Sequence, residues 1–288
     1  MDPESDLSTV TRGCGRIRSC TRFLHYVLIS QGYIWDWALA IILIRINRIF
    51  LKHLPHNERL YIEGDASLSY PLVQCWLPHD LSWHVVFYAT PVIFLTVNII
   101  YYVTVIIHSK LLGDGRLESR NAGYGELLQC AALDFHAAYL SLIEAYTIAA
   151  TVKHIVERSG KLRPNWFARL GTGDAKLIKD GRESYPSGHA LYPTMAATLL
   201  TLYMLGRTQV MVQPSRGQFA LFIISMLPLC GAIALGLDRV DCYDHDFVDT
   251  VSGGLIGSLC ALLTYHLNFY EVTNVVNAGK PRLRIVEQ

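Results

Sequence analysis

Arg239-Val-Asp-Cys-Tyr-Asp-His245-Asp-Phe-Val-Asp249 stands at the head of an apolar segment that runs on to Phe269. A span of ~20 apolar residues crosses a bilayer, so this run sets polar chemistry on the threshold of a membrane helix. His245 and Asp249 are four apart, and a helix puts them on one face, where the carboxylate can accept a hydrogen bond from the imidazole. An imidazole held this way keeps one nitrogen protonated toward Asp249 and leaves the other free as nucleophile or base. Taken alone, the run reads equally as an exposed acidic loop with a capping histidine. Its neighbours in the sequence decide between the two.

The chain has 288 residues, 51% of them hydrophobic and 17% charged, with a mean hydropathy of +0.27. Charge this sparse is unusual in a soluble domain. The apolar residues are bunched into long runs, which predicts an integral membrane protein and excludes a globular domain with one large core. A net charge of +1 provides no basic field for nucleic acid, so no nucleic-acid partner is expected. The seven cysteines show neither a CxxC pair nor ligand spacing with histidine, so metal binding through cysteine is not expected.

Residues 1–22 carry Arg12, Arg16, Arg18 and Arg22 without a balancing acid after Asp6. They read as a cytoplasmic anchor under the positive-inside rule rather than as a signal peptide. Spans are expected at Tyr33–Leu51, Leu81–Ile107 with a kink at Pro91, Leu127–Val152, His189–Leu205, Phe219–Leu237 and Phe247–Phe269. Arg45 and Arg48 interrupt the first. Asp134, His136 and Glu144 lie within the third, where helix–helix hydrogen bonding is the plainer expectation than chemistry. The fold class is therefore all-α, a six-helix transmembrane bundle. Its domains are a basic N-terminal segment (1–32), the bundle (33–270) and a short cytoplasmic tail (271–288). An even number of spans puts loops 153–188 and 238–246 together on the non-cytoplasmic face. Cys75 and Cys242 fall in loops of that face, which leaves a disulfide between them open.

Three pieces meet there: Lys153 with Arg163-Pro164, then Tyr185-Pro186-Ser187-Gly188-His189, then Arg239 to Asp249. Two arginines and a lysine neutralise and orient a phosphate. Ser187 offers a hydroxyl, Gly188 permits close backbone approach, and the opening amides of the fourth span favour an anion. His189 stands where it can give a proton to a leaving oxygen. The bland alternative is an ordinary helix cap with Ser187 satisfying free amides. The strong basicity of loop 153–188, against the charge rule, is ascribed to an anionic ligand. No carboxylate cluster is anticipated on that face.

In these motifs the chain resembles the type 2 phosphatidic acid phosphatase superfamily, whose pattern is Lys-x6-Arg-Pro, Pro-Ser-Gly-His and Ser-Arg-x5-His-x3-Asp. Pro186-Ser187-Gly188-His189 and Arg239-x5-His245-x3-Asp249 are intact. Arg163 to Phe167, Asp180 to Tyr185 and Ile62 to Pro71 are similar to segments of eukaryotic lipid phosphate phosphatases. Two departures stand out. Nine residues separate Lys153 from Arg163, so Lys153 with an insertion near Glu157–Gly160, or else Lys161, serves the first motif; Lys153 is favoured because it ends the third span. Asp238 replaces the family serine and would repel a phosphate dianion unless it turns toward a cation.

The resemblance implies metal-independent phosphoryl transfer with no cofactor. His245 attacks phosphorus, Asp249 orients it, and His189 protonates the departing alcohol and then activates water. Lys153, Arg163, Ser187, Gly188 and Arg239 hold the non-bridging oxygens. The implied partners are a membrane lipid phosphate and the bilayer itself, in endoplasmic reticulum, other endomembrane or plasma membrane. Two other readings remain, a headgroup transferase of the sphingolipid-synthase kind and a silent phospholipid binder motivated by Asp238.

Overall fold

The computed structural model describes residues 25–55, 57–111, 124–213 and 216–284. The basic cluster Arg12 to Arg22 and the loop cations Arg116 and Arg120 lie outside these. The described chain is all-α apart from one isolated bridge, Phe269 to Pro281. Its helices are α1 (Tyr33–Ile49), α2 (Thr90–Leu111), α3 (Tyr124–Val156), α4 (Trp166–Gly171), α5 (Ala175–Asp180), α6 (Gly188–Thr208), α7 (Gln218–Asp241) and α8 (Phe247–Asn268). One turn, Leu81–His84, and a wider π-type stretch, Val85–Ala89, extend α2 upstream. Pro91 accounts for the widening, since it has no N–H and its ring crowds the carbonyl one turn back. The Thr90 hydroxyl donates to the Val85 carbonyl at 2.8 Å, and the Thr90 amide donates to the same oxygen.

Among the described residues, three helical stretches are long and apolar enough to cross a membrane: Leu81–Ile107, Gln218–Asp241 and Phe247–Asn268. The other long helices have reasons to be less apolar. α6 runs through the centre with Leu191, Tyr192, Met195, Leu199 and Tyr203 all buried, so it presents little outer surface and tolerates Thr194 and Thr201. α1 has 17 residues and leaves Arg45 and Arg48 exposed. α3 carries its polar groups inward and pairs them across helices. Asp134 meets Arg207 at 2.9 Å, His136 accepts from Trp37 at 3.1 Å, and Glu144 accepts from Asn268 at 2.6 Å. These are the helix–helix bonds expected of buried ionisable groups. At the same end as Arg207, the segment after α8 folds back onto the bundle. Tyr33 donates to the Arg282 carbonyl at 3.0 Å, and Arg284 pairs with Asp36.

α8 lies against α6 at backbone contact. A Cβ on Gly253 would fall 2.6 Å from the Ser187 carbonyl oxygen, and one on Gly257 2.2 Å from that of Leu191. The pair is a Gly-x-x-x-Gly stripe, and small residues at this spacing let two membrane helices touch backbone to backbone. The first turns of α6 and α8 are thereby brought side by side, with the Ser187 amide donating to the Asp249 carbonyl at 3.1 Å.

Forcing extra volume into a tight contact costs about 1–3 kcal/mol, and Gly257→Ala is expected to destabilise by that amount. At Gly254 the nearest atom to an added Cβ is Thr194 Oγ1 at 3.8 Å, so Gly254→Ala is expected to be neutral. Denaturation midpoints of the two variants in mild detergent make the comparison, and equal midpoints would refute the packing account.

Candidate active site

One end of the bundle gathers the C-terminus of α3, the N-termini of α6 and α8, and the C-terminus of α7. Each delivers one of the expected residues. His245 is 2% exposed, in the turn between α7 and α8. Its amide and that of Asp244 both donate to the Arg239 carbonyl, at 3.1 and 3.0 Å. Arg163 approaches His245 Nε2 at 3.3 Å. A guanidinium can only donate, so Nε2 is the acceptor and the ring proton sits on Nδ1, facing Asp249. That tautomer leaves an in-plane lone pair on Nε2. Burial, then the Arg163 charge, depresses the His245 pKa below its ordinary value.

Asp249 is fully buried. The expected hydrogen bond to His245 is a 3.8 Å approach between Nδ1 and Oδ2, too long for a direct bond. The carboxylate is already engaged. Oδ1 accepts from Lys161 at 2.6 Å, while Oδ2 accepts from the Ser184 hydroxyl and, at 3.3 Å, from the Asp246 amide. The Asp246 side chain accepts the Asp249 amide in return, which closes a capping box on α8.

Ser187 precedes α6 but makes no side-chain cap bond. Its Oγ is buried without a protein partner, so the cap reading of this serine fails. Arg239 Nε and His189 Nδ1 are likewise buried and unpartnered. Leaving such donors unpaired costs about 1–3 kcal/mol each, and a phosphate could satisfy them. The His189 and His245 ring centroids are 5.8 Å apart. Gly188 has no room for a side chain, since a Cβ would lie 2.9 Å from Lys153 Cε.

Lys153 therefore runs beneath Ser187-Gly188-His189, whereas Lys161 points to Asp246 and Asp249. The surplus residues of the first motif form a single tight turn, Glu157–Ser159, followed by left-handed Gly160. Glu157 is buried and pairs with Lys153, and also with His154 at 2.6 Å. Burial raises its pKa, but His154 and Lys153 outweigh that and bring it down to about 2.

Asp238 turns toward a cation and the chain segment beside it. It pairs with Arg239 at 2.9 Å and accepts the Trp76 amide at 3.0 Å. Trp76 belongs to a strap, residues 57–80, lying over the site. The strap is fixed by Asn57 to the Arg158 carbonyl at 3.0 Å and by Tyr70 to the Pro164 carbonyl at 3.2 Å. A Cys75–Cys242 disulfide, Cα–Cα 5.1 Å, and stacking of Tyr70 on Tyr243 hold its far end. Arg239 donates to the strap's Leu77 carbonyl, and His79 crosses His189 edge to face with ring centroids 4.2 Å apart.

The expectation of no carboxylate cluster is overturned. Arg163 binds Asp180 at 3.0 Å and Asp244 at 3.3 Å, and Arg169 binds the same two at 2.7 and 2.6 Å. Much of the basic excess in loop 153–188 is thus matched internally. Glu157, Asp180, Asp238, Asp244, Asp246 and Asp249 stand around Lys153, Lys161, Arg163, Arg169 and Arg239. Sequence reasoning missed Ser184, Asp180, Arg169, Asp244 and His79. Three of them, Asp180, Ser184 and Asp244, lie in segments noted for resemblance, but single residues carry no spacing that reveals a distant partner.

A family model for the PAP2 superfamily matches residues 136–273. Lipid phosphate phosphatase 2 of Arabidopsis thaliana is 27% identical over 263 residues, 85% of this chain and 80% of that one. A PA-phosphatase related-family protein of Dictyostelium discoideum is 34% identical over 137 residues, 47% of this chain and half of its own length. Lipid phosphate phosphatase 1 of Arabidopsis thaliana is 31% identical over 160 residues, half of this chain and 48% of the relative. No solved structure gives a significant match. With the apolar helices, these likenesses make the chain a polytopic membrane protein.

Charge-assisted hydrogen bonds are worth about 1.5–3 kcal/mol. Arg239→Lys, which keeps the charge but loses Nε–H, is expected to weaken vanadate binding by that amount. Calorimetric titration of the detergent-purified chain measures it, and unchanged affinity would remove Arg239 from the anion site.

Proposed function

We propose, from the premise that this chain belongs to the PAP2 superfamily, that it is a metal-independent lipid phosphate phosphatase acting on phosphatidate-type monoesters. Membership itself carries a phosphatase-type hydrolase activity. One observation carries the finer reading. A neutral His245, its Nε2 accepting from Arg163 at 3.3 Å, lies beside buried donors that lack partners, Ser187 Oγ and Arg239 Nε.

In the proposed first step, His245 Nε2 attacks phosphorus as the bond to the lipid oxygen breaks. His189 gives that oxygen its proton. The new N–P bond leaves a positive imidazole ring, which the Asp249 carboxylate stabilises from 3.8 Å. In the second step water attacks phosphorus, His189 takes the water proton, and the N–P bond breaks to release phosphate. Ser187, Gly188, Arg163, Arg239 and Lys153 face the non-bridging oxygens, where stabilising the developing charge lowers the barrier most. A phosphate oxygen would replace His245 Nε2 as acceptor on Arg163, freeing the lone pair as substrate arrives. Cationic side chains do here what Mg²⁺ does in other phosphoryl-transfer sites.

All six long helices among the described residues cross the bilayer in this reading, with residues 1–32 and 271–288 flanking a transmembrane domain of 33–270. The active end faces away from the cytoplasm. The Cys75–Cys242 disulfide supports that orientation, since disulfides persist in oxidising compartments. A site at the helix ends suits a substrate whose phosphate lies at headgroup level.

The purified chain in detergent is expected to release phosphate from phosphatidate in the presence of EDTA. His245→Ala is expected to lose turnover by several orders of magnitude, and acid-quenched wild type to carry phosphate on histidine. Retained turnover in the variant would overturn the assignment.

The pH profile follows from the sign of the His245 shift. Only the neutral ring attacks, and its pKa lies below the ordinary imidazole value of 6.5. The acid limb of kcat/KM should therefore fall below pH 6.5 in wild type, activity being present above it and lost as pH drops through it. An acid limb above that value would contradict the buried, Arg163-flanked environment.

A further inference from the structure

More donors surround the Asp249 carboxylate than reach it, and the proposed nucleophile is the one left out. Oδ1 accepts from Lys161 Nζ at 2.6 Å. Oδ2 accepts from the Ser184 hydroxyl and, at 3.3 Å, from the Asp246 amide. His245 Nδ1 stands 3.8 Å from Oδ2 and is buried without a hydrogen-bond partner. Leaving a buried N–H unpaired is unfavourable, so a competing demand keeps the carboxylate where it is. The scaffold supplies that demand. Ser184 is fully buried, and its amide donates to the Lys161 carbonyl at 3.1 Å. The Arg163 amide donates in turn to the Gly181 carbonyl at 2.9 Å. The two segments are thus laced together and carry both side chains to Asp249 as a unit. Lys161 also pairs with Asp246, whose side chain caps α8.

We infer that Lys161 and Ser184 are positioning residues that hold Asp249 back from His245 and thereby keep the phosphohistidine short-lived. A carboxylate bonded directly to Nδ1–H pushes electron density into the ring. Nε2 then becomes a stronger nucleophile and, once phosphorylated, a poorer leaving group. From 3.8 Å, and shared with a cation, Asp249 attracts the positive ring without drawing its proton. When water attacks phosphorus and the N–P bond breaks, the bonding pair returns to Nε2 and the ring is neutral again. The restraint slows attack and speeds release.

The consequence for turnover rests on the phosphatase reading, whereas the restraint itself does not. Other groups also face His245: Arg163 from the loop after α3, His189 from α6 and Asp244 from its own turn. From α7 the Arg239 carbonyl holds its amide, and the strap sets His79 behind His189. Among these neighbours, Lys161 and Ser184 touch Asp249 alone, so removing either changes His245 through that carboxylate.

The His245 ring is titrated by nitrogen NMR in the detergent-purified full chain carrying isotope-labelled histidine, with His245→Gln to assign its signal. Wild type, Ser184→Ala and Lys161→Met are compared. Lys161 is partly exposed, so its variant carries the test if loss of the buried hydroxyl unfolds the chain. In wild type the ring titrates below 6.5. In the variants a released Asp249 should close on Nδ1 and raise that value by about one pH unit, a tenfold gain in proton affinity. The acid limb of kcat/KM should move up with it. Acid-quenched Ser184→Ala should carry several-fold more phosphate on histidine than wild type while kcat falls. A merely structural role would lower both together, and that result would overturn the inference. So would a His245 titration that is unchanged or lowered in the folded variants. A raised titration in a chain that hydrolyses no lipid phosphate would sink the phosphatase reading and leave the restraint standing. An active phosphatase whose His245 titrates alike in all three proteins would do the reverse.

Discussion

The active end depends on how closely α8 can approach α6. Gly253 and Gly257 bring the two backbones into contact, with no room for even a methyl group between them. That contact sets the Ser187 amide on the Asp249 carbonyl. It joins the turn that carries Ser187 to the helix that carries Asp249, the carboxylate nearest the proposed nucleophile His245. Any larger residue at either glycine would part the helices and separate the two halves of the proposed reaction. Helix association in lipid has no hydrophobic drive behind it, so close backbone packing of this kind has to be built in residue by residue.

Around this contact the charges are arranged by pairing rather than by sign. Asp180 and Asp244 each bridge Arg163 and Arg169, and Asp249 is held by Lys161 and Ser184. Arginines fixed by carboxylates are rigid, and rigid donors need little reorganisation when charge develops on a phosphate. The buried groups left without a partner here include Ser187 Oγ, Arg239 Nε, His189 Nδ1 and His245 Nδ1. In the proposed reading an anion is selected by where these donors point, because the arginines beside them are already matched by carboxylates. Asp238 fits the same scheme. Its carboxylate secures the strap through the Trp76 amide and steadies Arg239 from behind.

The strap shows how long-range linkage shapes the site. Its residues 57–80 are exposed for most of their length and hold almost no regular structure. They are fixed by backbone bonds to Arg158 and Pro164 and by the covalent tie between Cys75 and Cys242. This places His79 against His189, a contact between residues 110 positions apart in the chain.

The sequence alone determined what depends on near neighbours. Bunched apolar runs marked the helices, and each expected span lies within a few residues of a helix. The intervals Arg239-x5-His245-x3-Asp249 and Pro186 to His189 named the chemical groups, because a motif is a statement about residues close in the chain. Even the surplus in the first motif was legible as a bulge, and it is the Glu157–Ser159 turn. Only the tertiary structure decided which charges were already spent. Glu157 on Lys153, Asp244 on two arginines, Ser184 on Asp249 and His79 on His189 are choices among partners far apart in sequence. Hydropathy and spacing carry no information about such choices. Helix packing fixes them, and here two glycines on one face of α8 set that packing.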